Sequence, residues 1–151
     1  MALLALALGV RAVYRGYRVF CTSVKRLSQQ IAHAHARNTL DLFFEKILSS
    51  RLWILDDWGV VSMKSEIAEE VFNLLDRRRH SSALLLTSNR DVEEWGSVFS
   101  DPVLAGAAID RLFDRPRVVH FIGRSYRLKG KISLQNDVKA KKNAEGELDK
   151  N

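Results

Sequence analysis

Cysteine is almost absent from this chain: Cys21 is the single one in 151 residues. That excludes an intramolecular disulfide framework and suits a reducing cytosol. Zinc-type Cys/His spacing is missing too. His33 and His35 are two residues apart on a segment read as helix, where they point in different directions. A basic residue ahead of the opening apolar run MALLALALGV is also lacking; Arg11, Arg15 and Arg18 come after it. The run is therefore not built like a secretory leader, and it is too short to span a bilayer. It reads as a buried helix, and no membrane partner is expected. No internal repeat is present.

What is there is a basic, apolar-rich chain. The net charge is +6, the isoelectric point about 9.7 and the hydrophobic share 46%. This length and composition fit one domain with a sizeable core. The charge fits a protein that meets nucleic acid, although many soluble proteins are as basic.

The chain is organised around Leu52 to Gly59, LWILDDWG. Its continuous apolar run predicts a parallel strand covered on both faces. Asp56 and Asp57 then fall at the carboxyl end, where open α/β sheets place their ligand crevice. An acid there can hold magnesium, and its neighbour can orient an attacking water. Buried strands also end in acids that only cap the next helix, so the pattern alone leaves both readings open.

Around it, Ala2 to Arg15 predicts a helix stopped by Gly16, and Tyr17 to Cys21 a strand. Thr22 or Ser23 caps a helix with Leu27, Ile31 and Ala34 on one face. Asn38 begins another helix, carrying Leu40, Phe43, Phe44, Ile47 and Leu48, which Ser49 and Ser50 end. Ser65 caps a helix with acids early, Arg77 to Arg79 late, and a buried stripe of Ile67, Val71, Leu74 and Leu75. Ala83 to Ser88 predicts a second buried strand. Asp91 with Glu94 predicts a capping-box-like turn around Trp95. Asp101 and Pro102 start a helix to about Phe113, and Arg117 to Ile122 reads as the last strand. From Lys129 onward the sequence is polar and aperiodic, and a disordered tail is expected over residues 129–151. Strands alternating with helices make the fold class α/β with a mainly parallel sheet and flanking helices.

Asn89 ends the strand after the acidic one, Arg111 lies in AAIDRLFD and Arg127 in GRSYRLK. A polar side chain beside the acids can sense a γ-phosphate, and arginines supply bidentate positive charge to phosphates. Taken singly, Asn89 fits a plain turn and Arg111 a surface helix.

The segments LALALG, RGYRVFCTS, LWILDDWG, LLLTSNR, EWGSVFSDPVLAGAAIDRL and GRSYRLK resemble the IstB-like family of AAA+ ATPases. These are helper proteins of insertion-sequence transposition, similar to bacterial replicative helicase loaders. The resemblance runs from about Leu3 to Lys129 and implies an ATP-binding domain over residues 1–128 with a P-loop NTPase sheet. It implies ATP and Mg²⁺ as cofactors. Asp56 would bind Mg²⁺, Asp57 would take the catalytic acid position, and Asn89 would be sensor 1. Arg111 would be the arginine finger offered to a neighbouring subunit, and Arg127 a sensor-2-like arginine beside the nucleotide. DNA bound without sequence preference, a transposase and further copies of the chain are the implied partners, in the cytoplasm.

Two departures qualify this. The family's GxxxxGK phosphate loop does not occur in the 151 residues, whose only GK pair is Gly130 and Lys131. The first strand and the loop are thus expected to be lacking from the fold, the chain corresponding to the C-terminal part of a family member. Asp57 stands where the family commonly has Glu, about 1.5 Å shorter in reach. Impaired nucleotide binding is expected, and ATPase activity is open. The alternative is a non-catalytic DNA- or transposase-interacting remnant. Its candidate surfaces are Lys25 with Arg26, Arg77 to His80, and Arg115 with Arg117, each of which also fits an ordinary solvated face.

Overall fold

Three parallel strands carry the fold, β1 (Val19–Ser23), β2 (Leu52–Trp58) and β3 (Ala83–Ser88), in the order β1-β2-β3. The computed structural model describes residues 2–78, 82–99, 101–113 and 116–121. Residues up to Arg117 form one unit; of the second, Val118–Asn151, only 118–121 are described. Among the described residues five α-helices accompany the strands: α1 (Ala2–Tyr14), α2 (Val24–Ala36), α3 (Leu40–Leu48), α4 (Ser65–Arg78) and α5 (Pro102–Leu112). A 3₁₀ helix spans Val92–Val98.

The middle strand is β2, which explains its continuous apolar run. The register aligns Cys21 with Ile54 and Ile54 with Leu85, so these three share one sheet face. That face receives α1. The opposite face presents Phe20, Trp53, Leu55, Leu84 and Leu86 to the main core. There α2 contributes Leu27 and Ile31, α3 Phe44 and Ile47, and α4 Val71, Leu74 and Leu75. Trp58, Trp95 and Phe99 extend this core, and α5 closes it with Ala105 and Ala108.

The helix ends follow local chemistry. Ser23 accepts a hydrogen bond from the Arg26 N–H and caps α2 as expected. Asp101 accepts from the N–H groups of Val103 and Leu104, with Pro102 at the first position of α5. At the end of α1 the Tyr17 N–H bonds Ala12 O at 3.1 Å and the Gly16 N–H bonds Val13 O at 2.8 Å. Gly16 there has φ +81°. This is a Schellman closure, in which only glycine takes the left-handed position without cost.

Several expectations are corrected. The α1 helix is not buried: Ala5 and Gly9 are, while Leu3, Leu4, Leu6 and Leu8 are exposed. Small residues let α1 approach so closely that a Cβ on Gly9 would sit 2.7 Å from Ile54 Cδ1. The contact stripe is correspondingly narrow. Strand β1 starts at Val19, not Tyr17, because the Schellman turn uses Gly16 and Tyr17. Helix α3 starts at Leu40 after Thr39, since Asn38 takes a left-handed φ of +53° between the helices. In α4 it is Ala68, one turn before Phe72, that is buried, and Ile67 is only partly so. Asp91 precedes a 3₁₀ helix without a side-chain cap bond. Residues 117–121 form no strand, because no ladder partner lies beside them among the described residues. Ile122 and the tail from Lys129 lie outside the described residues.

Candidate functional site at the end of the middle strand

At the carboxyl end of β2 the ladder breaks step. Leu55 pairs with Leu86, but Trp58 pairs with Ser88, so Asp56 and Asp57 together face the single residue Thr87. Two residues against one is a β-bulge, a feature that re-aims side chains next to functional sites. Asp57 absorbs the extra length with φ +60°, a left-handed conformation that Asp tolerates better than most residues. Its side chain is exposed, whereas Asp56 is half-buried.

Thr87 holds the bulge together. Its buried hydroxyl donates a short hydrogen bond to Asp56 Oδ1. The same oxygen accepts from the Asp57 N–H at 3.2 Å. The carboxylate of one acid and the backbone of the other are thus tied to a single rigid side chain. Ser88 ties the following turn: its Oγ accepts from the N–H of Arg90 at 3.0 Å and from Trp95 Nε1 at 3.2 Å. Its proton lies between the carbonyls of Trp58 at 2.8 Å and Arg90 at 3.2 Å. Gly59, at φ +86°, lets Arg90 lie across the turn, its Cδ 3.2 Å from where a Cβ would stand.

On the α1 face, Cys21 lies in line with Ile54, two positions before Asp56. Desolvation raises the Cys21 thiol above its ordinary 9.0, and the Asp56 negative charge raises it further.

The fold brings Asp56, Asp57 and the exposed Asn89 to the same end of the sheet, on β2 and just past β3. Asn89 makes no side-chain hydrogen bond among the described residues. Arg111 does not join them; its Nε donates to Asp76 Oδ1 of α4 at 2.7 Å. Arg127 lies outside the described residues. The sequence reading missed Thr87 and Ser88, although hydroxyls ending an apolar strand beside an acidic one were the visible signal.

Among the described residues no three metal-ligating side chains cluster. Magnesium keeps several waters and takes one or two carboxylates with substrate phosphates. The donors on hand, two carboxylates, one of them anchored by Thr87, are of that kind.

A parallel sheet with acids ending its middle strand and helices on both faces is the arrangement of AAA+ P-loop domains. Among solved structures it resembles the replication initiator DnaA bound to AMPPCP and single-stranded DNA. That match has a TM-score of 0.60 and 26% identity over 69% of this chain and 33% of the other. DnaA from Aquifex aeolicus, bound to AMPPCP, shares the fold with a TM-score of 0.56 at 24% identity, over 64% of this chain and 30% of its own. The family model for IstB-like ATP binding proteins matches residues 2–133, and the chain belongs to that family. An IS21 insertion-sequence ATP-binding protein from Pseudomonas aeruginosa is 40% identical over 85% of this chain and 48% of its own length. An IS232 counterpart from Bacillus thuringiensis is 31% identical over 89% and 54%. The chain therefore spans about half the length of the curated relatives it matches.

Proposed function

We propose that the chain is the acidic half of a nucleotide site in a helper of insertion-sequence transposition. ATP would control its assembly on DNA and its delivery of a transposase to a target. The observation that carries this reading is the acid pair held at the end of β2 by Thr87. Asp56 would hold Mg²⁺, directly or through water. When bound, the ion would neutralise charge developing on the transferred phosphoryl group. Asp57, exposed and left-handed, would orient water with a shorter arm than Glu gives. Asn89 would report the γ-phosphate as sensor 1. Arg111 would act as an arginine finger on a neighbouring copy only after leaving Asp76, and Arg127 would take the sensor-2 role. Residues 1–128 would form the ATP-binding domain and 129–151 a disordered tail, in a cytoplasmic protein. No described helix is long and apolar enough to cross a membrane.

The sequence contains no GxxxxGK loop, whose backbone amides and lysine cradle phosphates. These 151 residues alone are therefore expected to bind ATP weakly and to hydrolyse it no faster than buffer. The shorter Asp57 also supports a second reading, a protein that contacts DNA or transposase without catalysis. The test compares ATP binding and turnover by the chain with a version extended by a family segment bearing the loop. Turnover in the extended protein that Asp56→Ala abolishes supports the first reading. An extended protein that binds no nucleotide supports the second.

A further inference from the structure

The charge of this chain is unevenly placed. Its first forty residues hold six Lys and Arg and no Asp or Glu. Removing those six from the twenty-four leaves eighteen, equal to the eighteen acids, so residues 41–151 are formally neutral. The whole net charge of +6 belongs to residues 1–40, on α1, α2 and the turns beside them. None of these six cations forms an ion pair among the described residues; the pairs found there join Arg77 to Asp41, Arg90 to Glu94 and Arg111 to Asp76.

The fold gathers part of this charge at one place. The Schellman turn carries Arg15 and Tyr17 out of α1 and delivers Arg18 to the start of β1. Arg18 O accepts from the Arg51 N–H at 2.8 Å, and Arg51 O from the Ala83 N–H at 3.0 Å. Arg18 and Arg51 are therefore neighbours across the amino-terminal edge of the sheet, about 4.8 Å apart in the hydrogen-bonding direction. Arg11, Arg15, Arg18 and Arg51 are all exposed. Between them stand two exposed rings, Tyr14 at 85% and Tyr17 at 53%. Six residues at about 3.3 Å each separate Arg51 from Asp57 along β2, or roughly 20 Å. This row lies too far away to serve a phosphate at the acids.

We infer that the amino-terminal edge of the sheet, Arg11, Tyr14, Arg15, Tyr17, Arg18 and Arg51, is a docking surface for single-stranded DNA. The inference rests on the DNA partner proposed above and supplies its location, which differs from the basic clusters expected from sequence. Unpaired arginines neutralise phosphates and release counterions. Exposed aromatic rings among them offer stacking faces to bases of any sequence. A membrane surface fits less well, because the cations are spread over the last turn of α1, the turn after it and two strand starts, and do not run along the length of a helix.

The test measures binding of the whole 151-residue chain to a fluorescent thymidine oligonucleotide of about 16 nucleotides, near the upper site size of single-strand binders. Salt is varied. The triple variant Arg15→Gln, Arg18→Gln, Arg51→Gln is expected to lose at least tenfold in affinity. Its salt slope should flatten by about 2, at about 0.7 per single-strand phosphate contact. A control removing equal charge elsewhere, Lys46→Gln, Lys64→Gln, Arg90→Gln, should stay within about threefold, the effect of net charge alone. Tyr14→Ala with Tyr17→Ala should weaken single-strand binding about tenfold and leave duplex binding unchanged. Equal losses in the two charge triples would overturn the location. Indifference to the tyrosine change, or tighter binding to phosphatidylserine vesicles than to DNA, would overturn the single-strand assignment. A wild-type chain that binds no nucleic acid would instead remove the DNA partner itself.

Discussion

Replacing Thr87 by Val removes one hydroxyl and nothing else of comparable size. That oxygen makes two hydrogen bonds, one to the Asp56 carboxylate and one from the Asp57 N–H. A hydrogen bond to a charged group contributes about 1.5–3 kcal/mol and an amide bond about 1. Asp56 is only half-buried, so water takes over part of the first. A net loss of about 2 kcal/mol is expected for Thr87→Val. Thr87→Ser keeps the hydroxyl and should recover more than half of it. Urea unfolding measures both. Hydrogen exchange adds a local readout: the Asp57 amide should lose protection in the Val variant well beyond the global loss, while Leu55, inside the regular ladder, should follow the global loss alone. If Thr87→Val unfolds within 0.5 kcal/mol of the parent, or Thr87→Ser is as unstable as Val, Thr87 does not hold the bulge.

Other substitutions probe neighbouring features. Gly59→Ala should cost about 1–2 kcal/mol in a urea titration, because φ +86° strains any side chain and Arg90 must move. Gly9→Leu should cost about 1–3 kcal/mol, since α1 sits on Ile54 with no room for a side chain; an unchanged midpoint would show that α1 does not pack there. Cys21 should alkylate with iodoacetamide slowly at neutral pH, its rate climbing with pH and levelling off only above 9.0, and Asp56→Asn should shift that profile toward lower pH. Because the folded thiol holds its proton more tightly than the unfolded one, its contribution is fully present below the unfolded value and is lost as pH rises through the folded one. Denaturant midpoints should accordingly fall on the alkaline side of 9.0.

The α/β class and its three strands were legible because each strand is a short apolar run bounded by breakers. Ala83–Ser88 came out residue for residue. The run Arg117 to Ile122 reads just as well locally, yet strands exist only beside partners, and its first five residues have none among those described. Helix α1 misled in the opposite direction. Its Ala and Leu content signals a helix, but only tertiary contact decides how much of it is covered, and Gly9 confines that contact to a stripe. At the site, the acids and Asn89 were visible as strand-end residues. The pairing of Thr87 with both acids was not, since it depends on a register shift that no local pattern encodes. Nor was the engagement of Arg111 by Asp76, two residues 35 apart in sequence.

Strand side chains obey a parity rule: odd and even positions face opposite layers. Trp53 and Leu55 occupy the core layer, and Ile54 the layer of α1. Counting on without interruption would sink Asp57 into the core and strand Trp58 among the α1 contacts. The inserted residue resets the count, so the charge stays at the rim and the indole takes the inner place beside Trp95 and Phe99. Two consecutive aspartates therefore do more than supply two carboxylates, for together they are the spacer that lets β2 change sides. A strand with one residue between Leu55 and Trp58 would run in step with β3 to its end and could offer only a single acid at its tip.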